Sequence, residues 1–370
     1  MIGLLLRIRR STSQFSAVVE LISWVVRYAC FAVAGFSREV VSMSTNDHTV
    51  PRMYLKRFGR LHRPRGKNWF VRARDVHRLD EPFETNIKNV AAVTDFYVGL
   101  NSDGVPHHEV EKLLCVIESE AAAVFASMLD DPDYALPARW PLDQPERVKL
   151  AWWIAAQLLR TVRQRQRIEY LTNAVDDRLE ASVRIRSLAG RHEHLRFLVA
   201  SVERLASIIL HRPWGLGFSD TCLVTSDVPV VIVNGVDDEN QMLAAAYWDL
   251  VLPLDPHRFL WLPGVGDVQG DPRKAADHLL KMDGGMGFFL SCLLLDAAHR
   301  QVFCHPDHDP VPVLPNGGPR LPRPWEVSQG EPSPSYILEY APLSSQYRVE
   351  RRWLDHPQGK PGWPATQVAD

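Results

Sequence analysis

The chain has 370 residues, which exceeds the usual size of one compact unit and allows either one large domain with extensions or two smaller domains. Its 42 lysines and arginines against 44 aspartates and glutamates leave a formal net charge of −2, which excludes an overall field that favours nucleic acid or an anionic membrane. Five scattered cysteines without a CxxC pair predict reduced thiols and a cytoplasmic protein.

Residues 1–43 differ in character from the rest of the chain. The run from Phe15 to Phe36 is long enough to span a bilayer, but Glu20 and Arg27 lie near its middle. A signal anchor, an amphipathic interfacial helix and an over-extended reading frame with the natural start at Met43 are the competing interpretations. The globular pattern begins directly after Met43, which favours the third.

The segment that follows contains a candidate functional histidine. Pro51 is well placed to open a short helix, and His48 lies just before it. The imidazole is a candidate general base or metal ligand, and a capping or hydrogen-bonded structural histidine is the alternative. Tyr54 lies on the apolar side of the same helix. The basic loop from Arg52 to Lys67 has interleaved aromatic residues, so it is either a local contact for phosphates of an anionic ligand or nucleic acid, or a solvated surface loop.

Two long helices are predicted in the middle of the chain. The first spans about Glu109 to Leu129 and carries Glu118 beside its buried stripe. The second spans Glu146 to Leu171, and its first half is apolar on every side, which is typical of a buried helix.

One face of the second helix carries polar side chains at steps of three or four. Gln157 and Arg160 are the central pair on this face. If this part is buried, the guanidinium needs an acid, and Glu118, Asp227 and Asp95 are the candidates. The alternative is a polar face that meets water.

The C-terminal half changes to strand periodicity, and the predicted fold class is α+β, with a helical central region packed against a C-terminal antiparallel sheet. Helices are expected again in the last part. The predicted strands are Cys222–Thr225, Val228–Val233, Tyr247–Leu254, Phe259–Leu262 and Gln301–Cys304, and the predicted helices are His192–His211, Ala275–Met282 and Phe288–His299. The predicted organisation is a segment 1–43, one α+β domain over 44–306 without a membrane span, and a proline-rich linker with a C-terminal extension over 307–370.

The motif Thr225-Ser226-Asp227-Val228-Pro229 holds a carboxylate at a strand end. Pro229 fixes its own φ and biases the residue before it toward an extended conformation, so the chain turns at a defined place. Ligand and catalytic carboxylates often lie at such ends. An Asx or Ser turn that only caps the backbone is the alternative interpretation.

Four pieces of the sequence, taken in order, resemble one family. This is the mostly bacterial domain of unknown function 4238, and the resemblance covers roughly His48 to Pro306. The resemblance implies that the chain has homologues in this family and a bacterial origin, but it implies no particular reaction. The pieces are His48-Thr-Val-Pro51-Arg-Met-Tyr54-Leu55-Lys-Arg-Phe58, Asp95-Phe96-Tyr97 with Glu111 and Ile117-Glu118, Gln157-Leu-Leu-Arg160-Thr161, and Val224-Thr225-Ser226-Asp227-Val228-Pro229-Val230 before Val251-Leu-Pro253-Leu254.

These residues lead to two functional hypotheses. The first is a polar pocket for an anionic ligand, such as a phosphoester or a nucleic-acid end, in which His48 or Glu118 is the base and Arg160 stabilises charge. Asp227 would orient the base or bind a metal, and the predicted ligand-binding residues are Tyr54, Gln157 and Ser226. The second hypothesis is a non-catalytic interaction module in which the same residues form a buried structural network.

The sequence leaves the cofactor unknown: the P-loop, GxGxxG, HExxH and GxSxG motifs are absent, so dinucleotide binding in particular has no support. No metal site is predicted. The segment from Cys304 to Asp309 is rich in ligand-type atoms, but no second group of ligands accompanies it.

Overall fold

The computed structural model describes residues 46–62, 68–100, 105–130, 140–166, 168, 189–219, 221–233, 248–264, 277–282 and 284–311. The predictions for residues 1–43, and those for the tail beyond residue 311, lie outside the described residues. No helix within these ranges is long and apolar enough to cross a membrane.

A short N-terminal module precedes the long helices. Strand β1 (Asn46–His48) pairs antiparallel with β5 (Ala92–Thr94), and helix α1 (Arg52–Leu55) follows Pro51, which has an extended backbone. A 3₁₀ turn (Lys56–Phe58) continues α1. The module is anchored because Tyr54, Leu55 and Phe58 are all fully buried.

The N-terminal strands join two strands from the far end of the chain. Strands β2 (Arg60–His62), β3 (Asn68–Asp75) and β4 (Arg78–Asn86) are antiparallel neighbours. Further along the chain come β6 (Gly99–Leu100) and β7 (Pro106–His107), which form a separate hairpin. The sheet of β3 is completed by a strand over Gln301–Cys304, which pairs with β3 on one side and with Thr225–Ser226 on the other. The strand over Gln301–Cys304 was predicted, but no local pattern indicated that it pairs with strands so distant in the chain.

Three helices form the centre of the molecule. They are α2 (Glu109–Leu129), α3 (Gln144–Leu159) and α4 (Ala189–Leu210), and α3 packs against both of the others. Asp143 caps α3 by accepting a hydrogen bond from the Glu146 amide. The α3 helix is buried almost all round, as its apolar composition predicted.

The C-terminal sheet consists of β8 (Gly215–Ser219), β10 (Val231–Ile232), β11 (Leu250–Pro253), β12 (Arg258–Leu262) and β13 (His278–Met282), in the order β10-β11-β12-β8-β13. The remaining elements are β9 (Thr225–Ser226), helix α5 (Gly284–Ala297) and β14 (Gln301–Cys304). The α+β class is confirmed, and so is the packing of the central helices against this sheet.

Alternate side chains of the C-terminal sheet enter two different cores. Leu250 and Leu252 contact the core of the central helices, whereas Val251 belongs to a second core with α5. The sheet is therefore covered by helices on both faces.

Two local predictions were wrong. A helix was expected over Ala275–Met282, but its described part from His278 to Met282 is strand β13, which runs parallel to β8, because pairing with an available sheet edge overrides a weak local preference. The central helix ends at Leu159 rather than Leu171, and Arg160 is its C-cap residue. Residues 162–166 are helical again after this break.

Candidate functional site

Arg160 lies at the end of α3 with only 2% of its surface exposed, and its side chain joins three distant segments. Its Nε donates to the Tyr97 hydroxyl at 2.8 Å, and Nη1 donates to Glu118 Oε1 at 2.5 Å. Nη2 donates to the backbone carbonyl of His48. We call Arg160, Tyr97, Glu118 and His48 the Arg160 cluster. Glu118 is one of the three acids that the sequence offered as partners of this guanidinium.

The electrostatics of the cluster keep the guanidinium charged. Burial lowers the pKa of Arg160, but Tyr97 and Glu118 outweigh that effect and hold its pKa above the ordinary value. Burial also raises the pKa of Tyr97 to about 12, so its hydroxyl stays protonated at neutral pH. The centroid of the Tyr97 ring lies 5.2 Å from the guanidinium carbon of Arg160, which adds a cation–π contact.

His48 and Glu118 form the more accessible edge of the cluster. The Glu118 side chain is 25% exposed, and only Oε1 is engaged by Arg160. The His48 ring is half-buried, its Nδ1 has no hydrogen-bond partner among the described residues, and burial followed by the charge of Arg52 lowers its pKa. The imidazole is therefore neutral at pH 7 and able to accept a proton.

Gln157 lies on the same face of α3 as Arg160, one turn earlier, and is 1% exposed. Neither atom of its amide has a hydrogen-bond partner among the described residues. Trp153 Nε1 on the turn before it and Gln164 Nε2 beyond the helix end are also buried, and neither has a hydrogen-bond partner in the part of the chain that the structure describes. Native proteins leave few such groups unsatisfied.

Asp227 lies in a different environment from the Arg160 cluster. Its carboxylate accepts hydrogen bonds from the backbone amides of His299, Arg300 and Gln301 at 2.8–3.2 Å. Burial raises its pKa to about 6 against the effect of these donors. Ser226 Oγ is engaged with the backbone of Val228 two residues on. The geometry of both side chains is that of a capped turn, which was the alternative interpretation of this motif.

Tyr54 ties the N-terminal module to both sheets. Its hydroxyl is 2.7 Å from Thr225 Oγ1 and 2.7 Å from the Pro253 carbonyl oxygen. The ring packs against Trp153 and Phe125. The hydroxyl is thus engaged within the protein, and Tyr54 fixes the position of the segment that contains His48.

Sequence reasoning missed several buried polar residues near the cluster. Asp47 Oδ2 accepts from the Tyr97 amide at 2.8 Å, and Arg163 donates to the Ala298 carbonyl at 2.9 Å. Arg165 lies 3.4 Å from the centroid of the Phe96 ring. The density of arginines after Arg160 was a visible signal, but periodicity alone does not tell whether a helix end is buried.

The basic stretch after Arg52 was predicted as a loop, but as far as His62 it consists of α1, the 3₁₀ turn and β2. Its arginines are balanced by acids in the described part of the chain. Arg57 forms an ion pair with Asp130, and Arg60 pairs with both Glu84 and Asp307. A contact of this stretch with nucleic acid would have to compete with these pairs.

The segment after β14 is held against the N-terminal sheet. Asp309 pairs with Arg74 at 2.5 Å and with Arg72 at 3.2 Å. Among the residues that the structure describes, no group of three His, Cys, Asp or Glu side chains is arranged to hold a metal ion.

A family model with the description "Protein of unknown function (DUF4238)" matches residues 46–307. The match begins with β1 and ends just after β14, so it spans the whole region in which the Arg160 cluster is assembled. No curated protein and no solved structure matches the chain.

Proposed function

The chain belongs to the DUF4238 family, and from that premise we propose that it binds a small anionic ligand, such as a phosphoester, beside the Arg160 cluster. The observation that carries this proposal is a set of buried donors along α3 and its continuation that have no acceptor among the described residues: Trp153 Nε1, Gln157 Nε2 and Gln164 Nε2. A buried N–H without an acceptor costs about 1–3 kcal/mol, and ligand oxygens would remove that cost.

The charge around these donors supports an anion. Arg160 and Arg163 are both buried, and Arg163 lies close enough to interact electrostatically with Asp227. Ligand oxygens carry several lone pairs each and satisfy amide, indole and guanidinium donors together.

Each residue of the Arg160 cluster then has a defined task. Arg160 fixes the relative positions of the His48 backbone, Tyr97 and Glu118, because each of its three nitrogens donates to one of them. If the bound ligand is hydrolysed, Glu118 or His48 takes the proton from the attacking water. Asp227 supports the 299–301 turn, and its occupied oxygens do not favour the alternative role of metal ligand.

A second function has a specific observation in its favour. Every nitrogen of the Arg160 guanidinium already has a partner inside the protein, which is the arrangement expected of a structural network in a non-catalytic interaction module. Loss of Arg160 would disrupt either arrangement. The two functions are therefore distinguished at Gln157, whose amide has no partner within the described chain.

The test is a thermal-shift titration of the full chain. Millimolar inorganic phosphate and a nucleoside monophosphate should raise the melting temperature, whereas the uncharged nucleoside should not, because only a ligand that binds the native state shifts it. Gln157→Leu should remove the shift. No shift with any of the anions, or the same shift in Gln157→Leu, would favour the structural network.

We also propose a cytoplasmic location. Cys115, Cys222, Cys292 and Cys304 are free thiols in the structure, which is usual in a reducing compartment.

A further inference from the structure

We propose a second reactive site, separate from the Arg160 cluster, in which Cys222 is a nucleophile and His257 is its general base, acting on a carboxylic ester or thioester. Cys222 Sγ lies 3.5 Å from His257 Nε2. A thiol that contacts an imidazole nitrogen whose other nitrogen is oriented by a third group is the arrangement of nucleophilic thiol catalysis.

The imidazole is oriented from two sides. His257 Nδ1 lies 3.3 Å from the backbone carbonyl oxygen of Ser219, and this contact places the ring proton on Nδ1. Nε2 is then left as an acceptor that faces the thiol. The His257 amide donates to Asp255 Oδ1 at 2.8 Å, and Asp255 is in turn held by Arg258. Asp255 is thus a positioning residue for the turn that carries the base.

The segment that carries Cys222 is fixed against the same turn. The Ser219 amide donates to the His257 carbonyl at 2.8 Å, and the Leu223 amide donates to the Pro256 carbonyl at 2.6 Å. These two bonds hold the chain on both sides of Cys222. The backbones of Cys222 and His257 are therefore held next to each other by main-chain hydrogen bonds.

The first turn of α5 lies next to the nucleophile. A Cβ at Gly287 would be 2.1 Å from Thr221 Oγ1 and 2.4 Å from Ser219 Oγ, so glycine is needed for this close approach. The backbone N–H groups of residues 284–287 have no acceptor within the helix, since they form its first turn. Donors at a helix start stabilise the oxyanion that forms when a nucleophile attacks a carbonyl.

A second observation points to a ligand at this place. Ser291 lies one turn after Gly287 on the same face of α5, is fully buried, and its hydroxyl has no hydrogen-bond partner among the described residues. A substrate oxygen that reaches the α5 face would supply that partner.

The resting pair is uncharged. Burial raises the pKa of the Cys222 thiol to about 11, and burial lowers the pKa of His257 to about 4. Both shifts stabilise the neutral pair, so at neutral pH the sulfur keeps its proton and the imidazole is uncharged. The proton therefore moves to His257 together with formation of the S–C bond and not before it.

The reaction has two balanced steps. The thiol proton moves to His257 Nε2 while sulfur adds to the carbonyl carbon, and the departing alcohol or thiol then takes that proton as its bond to carbon breaks. Water next attacks the S-acyl group with His257 as the base, and the proton returns to sulfur when the carboxylic acid leaves. The sum is an ester or thioester plus water giving an acid plus an alcohol or thiol.

The experiment treats the full chain with 4-nitrophenyl acetate. We expect a burst of one equivalent of 4-nitrophenol and one acetyl group, mapped by mass spectrometry to Cys222. His257→Gln should slow the burst about 100-fold, the usual order for loss of a general base. Cys222→Ala should abolish it, and Cys115→Ser, which removes an exposed thiol on α2, should leave it unchanged.

The site of acetylation in the wild-type protein tests the proposal even if a variant fails to fold. Acetylation of Cys222 no faster than that of free N-acetylcysteine at the same pH, or acetyl groups found mainly on Cys115, would overturn the proposal. So would a folded His257→Gln protein with an unchanged burst. Binding of phosphate at Gln157 is measured separately, so the two proposals fail independently.

Discussion

Arg160 and Glu118 are separated by 42 residues in the chain and meet with 2.5 Å between Nη1 and Oε1. The contact joins the end of α3 to the middle of α2, and the same guanidinium holds the His48 carbonyl and the Tyr97 hydroxyl. A single side chain thereby sets the relative positions of α2, α3 and the strand that carries His48.

Removal of this guanidinium should destabilise the fold. Arg160→Met leaves Glu118 without its cation and two oxygens without their donor, and we expect the free energy of unfolding to fall by about 3 kcal/mol. This is the lower end of the range for a broken buried pair because Glu118 is partly exposed. Denaturant unfolding followed by circular dichroism measures the change.

The matched control is Lys149, which pairs with Glu120 at 2.6 Å across the same two helices but near the surface. Lys149→Met should cost less than about 1 kcal/mol because solvent screens that pair. Equal losses in the two variants would show that burial of the Arg160 cluster contributes nothing.

Gln157→Leu should have the opposite effect on stability. The replacement removes a buried amide with no partner among the described residues, so the unliganded protein should gain about 1 kcal/mol while its response to phosphate is lost. Gln301 is the contrasting control, since its Oε1 accepts from the Ala91 amide at 3.3 Å. Gln301→Leu should lose about 1 kcal/mol. A loss of stability in Gln157→Leu would mean that its amide is satisfied within the folded protein.

Stability should fall in acid partly because of His194. Its ring is fully buried, Nε2 contacts the Leu159 carbonyl at 2.8 Å, and burial followed by the charge of Arg165 lowers its pKa to about 3 from the ordinary 6.5. Below pH 6.5 the unfolded chain binds a proton at His194, whereas the folded, buried ring does not. The contribution of His194 to the free energy of unfolding is therefore fully present above pH 6.5 and is lost as the pH falls toward 3.

The expected slope from His194 is about 1.4 kcal/mol per pH unit inside that window. It is measured as the difference between the wild type and His194→Gln in denaturant unfolding at several pH values from 7 to 4. Parallel pH profiles for the two proteins would exclude a depressed pKa at this ring.

Tyr54→Phe tests the tie between α1 and the two sheets. Loss of the hydroxyl leaves the Pro253 carbonyl and Thr225 Oγ1 without that partner, so the free energy of unfolding should fall by about 1–2 kcal/mol. Thr225→Val removes only one of the two contacts and should cost less. A neutral Tyr54→Phe variant would contradict the assigned geometry, and calorimetric melting of the three proteins provides the comparison.

Prediction from sequence worked best where a pattern is local and long. Helix α2 has the predicted bounds Glu109–Leu129, because its apolar stripe repeats over many turns. Strand β14 also has its predicted bounds, Gln301–Cys304. Strand β13 was predicted as a helix, since its five residues are too few to show a period and its parallel pairing with β8 depends on a strand distant in the chain.

The sequence alone determined that the first half of α3 is buried, because a helix apolar on every side has to be enclosed. It left open whether Arg160 at the end of that helix is buried or meets water, and the structure shows it buried. Only the tertiary structure decided which acid forms the ion pair with the Arg160 guanidinium. In the tertiary structure Glu118 accepts a hydrogen bond from Arg160, whereas the Asp227 carboxylate accepts from the backbone amides of residues 299–301. His257 lies beside Cys222. Pairing between side chains far apart in the chain depends on how whole elements pack, and no local pattern of residue types encodes that packing.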